Sequence, residues 1–172
     1  MNLQFKLNKT DRYFISEKYL CNGRWLTTKD AVKRSNTKDI TRSLTQLASL
    51  SIGTHSGLPG SRHYYVSDKV SDLDRIIPKR DGYLPINIKK PQVTWDCDTN
   101  LLKVFIFEVK KSDLDEKGNV IDASFKIGVS PNYVPLLSLG YGFAKDSLSP
   151  ILILDGPTLN DQLVGLVMPM RI

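Results

Sequence analysis

The spacing of apolar residues changes character near residue 83. Before it, the clearest repeat is helical. Ile40, Leu44, Leu47 and Ala48 fall at i, i+4, i+7 and i+8, one stripe for burial, with Lys38, Thr41, Arg42, Thr45 and Ser49 on the other face. After it the pattern is extended. Residues 101–109 (LLKVFIFEV) make the strongest strand, rich in β-branched and aromatic side chains. Val120–Val129 alternates, placing Ile121, Ala123, Phe125, Ile127 and Val129 on one face. Residues 142–145, 149–154 and 163–171 predict further strands, and 86–88 and 93–95 shorter extended pieces. Asp98-Thr99-Asn100 and residues 115–119 read as turns.

The first half predicts three helices. Thr10 or Asp11 caps one reaching about Leu20, closed by Asn22-Gly23. Thr27-Thr28-Lys29-Asp30 and Asn36-Thr37-Lys38-Asp39 open two more, each with a cap residue (Thr27, Asn36) three places before an Asp, close to a capping box. Trp25-Leu26 would pack beneath that pair. A loop with Gly53, Gly57, Pro59 and Gly60 follows, then His63-Tyr64-Tyr65-Val66. Residues 10–68 thus resemble a winged helix-turn-helix, with a scaffold helix, a recognition helix and a two-stranded wing. The resemblance implies double-stranded DNA as a partner. Thr28, Lys29, Thr37, Lys38, Thr41, Arg42 and Thr45 would face the groove, and Arg62 and His63 would touch it from the wing. A winged helix used for protein contacts is the alternative.

Charge favours the DNA reading. Residues 1–80 hold 15 Lys and Arg against 7 Asp and Glu, and residues 81–172 hold 9 against 11. The basicity behind the net +6 therefore belongs to the helical half, where phosphate contacts would use it. Composition is otherwise that of a globular protein, with 41% hydrophobic and 24% charged residues. No apolar run is long enough for a membrane span, and the first residues lack a signal-peptide layout, so the cytoplasm is the expected location. Cys21 and Cys97 have no metal-ligand companions and predict free thiols.

Ser130 and Pro131 predict a short helix between the strands at 120–129 and 142–145, and Pro135 would fall near its fifth position, so the helix should be short or bent. The chain then ends VGLVMPMRI. The ordered set of Phe125–Val129, Asn132-Tyr133-Val134, Phe143–Ser147, Ser149-Pro150-Ile151-Leu152-Ile153 and Leu166–Ile172 resembles the last βαβββ repeat of bacterial sliding clamps, over residues 120–172. That resemblance implies a peptide pocket lined in part by Leu166, Met168, Pro169 and Met170, with replication polymerases or clamp-interacting proteins as partners. A final core strand is the plainer alternative.

No nucleophile–base pattern, phosphate loop or dinucleotide fingerprint is present. His55 and His63 lack the company a metal site needs, and Asp113, Asp115 and Glu116 read as a hairpin loop. The expectation is an α+β protein without enzymatic activity, cofactor or metal. Residues 1–70 form a winged helix, 71–82 a linker, and 83–172 a β-rich, clamp-like domain with one short helix. Its function would be duplex binding in transcriptional regulation or replication initiation, with self-association or docking through the second domain. The alternative is an interaction protein that binds or imitates replication machinery. The combination fits an accessory genome such as a phage or plasmid.

Overall fold

The computed structural model describes residues 5, 7, 13–35, 38–48 and 70–172, with the backbone alone at 38, 39, 41, 43, 46 and 70–72. Short strands open the described chain: β1 (Phe14–Ile15), β2 (Tyr19–Cys21) and β3 (Trp25–Thr28). Helices α1 (Lys29–Arg34) and α2 (Lys38–Ala48) follow, then a 3-10 helix at Val70–Ile76. The rest is β4 (Leu84–Pro85), β5 (Gln92–Trp95), β6 (Leu102–Leu114), β7 (Val120–Val129), a 3-10 helix at Val134–Leu139, β8 (Tyr141–Ala144), β9 (Ile151–Leu154) and β10 (Leu163–Val167). A seven-stranded sheet runs β1-β2-β3-β10-β9-β8-β4, and a three-stranded sheet runs β5-β6-β7. Every pairing in both is antiparallel.

This predominantly β architecture overturns the winged helix-turn-helix. The helix expected over residues 10–20 is a hairpin. Tyr13 and Ile15 enter one core and Phe14 packs on the other, a two-residue period that no helix supports. Ser16 closes the turn, its N–H reaching the Tyr19 carbonyl at 3.0 Å and its hydroxyl accepting the Tyr19 N–H at 2.9 Å. Asn22-Gly23 does not end a helix but turns β2 into β3. The Asn22 side chain accepts the N–H groups of Arg24 and Trp25, and Gly23 takes a φ of 85° that L side chains avoid. Trp25 and Leu26 belong to a strand. The α1 cap is Thr28, one residue later than expected, with its hydroxyl accepting the Ala31 N–H at 3.2 Å.

The stripe on α2 is as its spacing requires, with Ile40, Leu44 and Leu47 all buried. It meets Trp25, Ala31 and Val32 and, across the same core, Phe105, Phe107, Val109, Ile127 and Val129 of the smaller sheet. A second core fills the other face of the large sheet with Cys21, Leu26, Phe143, Leu152, Leu154 and Leu166, covered by Leu73 and Tyr83. This two-sided cover explains the unbroken Ile-Leu-Ile-Leu of β9, in which all four residues are buried. Each such side chain contributes about 2 kcal/mol of burial. Residues from both sides of 71–82 share the large sheet, because β3 pairs with β10 from Trp25↔Val167 to Thr27↔Gly165. Arg80 donates to the carbonyls of Leu159 and Asp161, and the Tyr83 hydroxyl donates to that of Pro150 at 2.9 Å.

The clamp-like repeat is also corrected. Strand β7 lies in the three-stranded sheet, whereas β8, β9 and β10 lie in the large sheet beside β3. The helical piece begins not at Pro131 but after a turn in which the Ser130 carbonyl accepts the N–H groups of Tyr133 and Val134. Pro135 then sits in the first turn of a 3-10 helix, where its missing N–H breaks no bond.

Candidate interaction site

The longest pairing among the described residues is β6 with β7, in continuous register from Phe105↔Val129 to Leu114↔Val120. Its inner end is core, with Phe107, Val109, Ile127 and Val129 buried. Beyond Val109 the burial stops. Every side chain from Lys110 to Leu114 is exposed, and on the return strand only Ala123 and Phe125 are half-covered between Val120 and Lys126. The hairpin therefore leaves the body as a two-stranded arm of roughly 15 Å.

The turn that ends it is held by Asp115. Its carboxylate accepts the N–H of Lys117 at 2.9 Å and of Asn119 at 2.8 Å, and the Asn119 amide at 3.3 Å. These bonds, that from the Asn119 backbone first, hold the carboxyl below its ordinary range. Gly118 supplies the positive φ of 79°. The acidic residues here do hairpin work, as their spacing predicts. Above the turn the arm carries an apolar tip: Leu114 and Val120 face each other across the strands at 63% and 72% exposure, beside Ile121 at 43%. Single exposed aliphatics are ordinary, but a cluster on a projecting hairpin is not.

The arm's outer edge has a defined pattern. Met170 donates its N–H to the Gly128 carbonyl at 2.8 Å, so Gly128 turns its backbone polar groups away from β6. At the far end Asp115 donates to the Asn119 carbonyl at 2.9 Å, so Asn119 turns its groups toward β6. Alternation between these fixed points leaves Val120, Asp122, Ser124 and Lys126 presenting N–H and C=O outward. Among the described residues only Met170 pairs with that edge. A shallow depression of about 390 Å³ on the arm is lined by Glu108, Lys110, Ser112, Asp122 and Ser124 among others. A second groove of about 290 Å³ lies between residues 85–89 and 140–143, apolar but for Asn87, Lys89 and Tyr141. Among the described residues no three His, Cys, Asp or Glu side chains converge as a metal site would require.

The residues expected to face DNA have varied surroundings. The Thr28 hydroxyl is the α1 cap, and Lys29 is half-buried, its amine pulled below the ordinary range by burial and then by Lys33. Arg42 and Thr45 are exposed on α2, opposite its buried stripe. Lys38 and Thr41 lie in α2, and Thr37, Arg62 and His63 lie outside the described residues, as does the whole expected wing. Without the winged-helix frame, these positions lose the geometry that made them a groove-reading set. Of the expected pocket residues, Leu166 is buried in the second core, Pro169 is half-covered, and Met168 and Met170 are 39% and 36% exposed. Met168 donates to the Arg24 carbonyl at 2.8 Å. The tail thus spans the two sheets, and its residues do not share one environment.

The arm itself was within reach of the sequence. A ten-residue strand at Val120–Val129, counted back across the turn at 115–119, requires a partner running to Leu114. The polar stretch Lys110–Asp113 hides it, because a strand outside the core needs no apolar face. No protein-family model, curated protein or solved structure matches this chain, and the two resemblances read from its sequence find no support there.

Proposed function

We propose that this chain is a non-enzymatic interaction protein that docks onto other protein surfaces through the β6–β7 arm. One observation carries the reading: a hairpin clear of the core ends in Leu114, Val120 and Ile121, all exposed. Burying such a tip in a partner's pocket releases water from apolar surface that folding leaves wet. The arm's charge favours protein over a phosphate backbone, since Lys110, Lys111, Lys117 and Lys126 are offset by Glu108, Asp113, Asp115, Glu116 and Asp122. A cytoplasmic setting fits the free thiols of Cys21 and Cys97, the latter exposed. Among the described residues no helix is long and apolar enough to cross a membrane.

The test is photo-crosslinking from Leu114, with Lys79 on the body as control. A protein captured from Leu114 is then purified and should bind the wild-type chain directly, losing at least about tenfold on the double change Leu114→Ser and Val120→Ser. Equal capture from both positions, or unchanged binding by the double variant, overturns the reading.

A further inference from the structure

The outer edge of β7 is complementary to itself, and we infer that two copies of this chain associate there, antiparallel about a two-fold axis at Ser124. This rests on the arm as the docking element and names its partner. An added antiparallel strand must set its own outward-facing residues opposite Asp122, Ser124 and Lys126. The axis can therefore fall at only a few positions, and charge separates them. At Asp122 or at Lys126 it sets like charges face to face. At Phe125 it sets Asp122 against Gly128, whose carbonyl already holds Met170. At Ala123 it sets Lys126 against Val120 and Asp122 against Ser124, with no charge matched.

At Ser124 the charges match, and Gly128 falls opposite only Val120, where the ladder ends. Asp122 of each copy stands opposite Lys126 of the other, and Ser124 opposite itself. All three residues exchange N–H and C=O across the axis. Within one copy Lys126 already faces Glu108 on β6. In the pair it lies between two carboxylates, while Asp122, whose own β6 neighbour is Ser112, gains a cation directly opposite. On the opposite face Ala123 comes beside Phe125, which is only half-buried in one copy. The ladder stops after Lys126 because the tail occupies the next outward carbonyl, so the pair closes rather than growing into a fibre.

The experiment is sedimentation equilibrium on the full chain and on charge-reversed variants. The wild type should be a dimer at micromolar concentration. Asp122→Lys and Lys126→Asp should each weaken dimerisation on the order of a hundredfold, because each creates two like-charge contacts per pair. Combining them should restore affinity to within about tenfold of wild type, with unchanged circular dichroism throughout. A monomer up to about 1 mM overturns the proposal, and so does a dimer indifferent to the single reversals or not rescued by the double. Capture of a different protein from Leu114 alongside a monomer would sink this pairing but leave the arm's docking role standing.

Discussion

Met170 donates its backbone N–H to the carbonyl of Gly128 at 2.8 Å, and with that bond the end of the chain ties one sheet to the other. The preceding residues leave β10 in the large sheet, and Met170 reaches β7 in the small one. Close approach depends on the missing side chain. A Cβ at Gly128 would lie 2.5 Å from Ile172 Cγ2 and 3.1 Å from the Met170 carbonyl oxygen.

Gly128→Ala should therefore push the tail off β7 and cost about 1–2 kcal/mol. In a chain ending at Arg171 the same change should cost less than half as much, since the nearest clash is gone. Urea denaturation of the four proteins gives the cycle. An equal cost with and without Ile172 would mean that the tail is not what Gly128 accommodates.

Thr27 is fully buried in β3, and its hydroxyl has no hydrogen-bond partner among the described residues. Thr27→Val keeps the shape and removes the unsatisfied group, so it should stabilise the fold by about 1 kcal/mol. A loss of stability in thermal melts would show that the hydroxyl is satisfied in solution.

Two groups carry opposite pH limits, Tyr19 on the body and Asp115 on the turn of the arm. The Tyr19 phenol is pushed up to about 12 by burial, by its hydrogen bond to Asp74 at 2.6 Å, and by that residue's charge. A raised folded value means its contribution is complete below about 10, the ordinary tyrosine range, and lost as pH climbs toward 12. The Tyr83 phenol is also pushed up to about 12, by burial and then by Asp146, so absorbance at 295 nm should show a late-ionising component that Tyr19→Phe diminishes and leaves to Tyr83. Asp115 works in the other direction. Its folded value is depressed, so the turn it holds is secure above the ordinary carboxylate range and loosens as pH falls through and below it. Asp115→Ala should speed amide exchange at Lys117 and Asn119 at neutral pH without moving the melting temperature of the body. Unaltered exchange there would remove Asp115 from that role.

What could be read in advance follows from where the physics is local. Val120–Val129 alternates and is a strand over those residues, and Ile40, Leu44 and Leu47 repeat at helical spacing and are buried together. Residues 13–21 misled because Tyr13, Phe14 and Leu20 suit either period until both faces are known to be covered. The pairing of β3 with β10 joins Trp25 to Val167 across most of the chain, and no local pattern announces it. The candidate site hid for a related reason. Lys110–Asp113 is polar on both faces because the arm stands in solvent, so composition there resembles a loop.

The pairing of two β7 edges is tested most directly by residue-resolved amide exchange along that strand. The amides of Ala123 and Phe125 point toward β6 and should be protected at every protein concentration. Those of Asp122, Ser124 and Lys126 point outward and should be protected only where the chain is dimeric, exchanging freely on dilution. Fast exchange of those three amides at all concentrations would contradict the pairing.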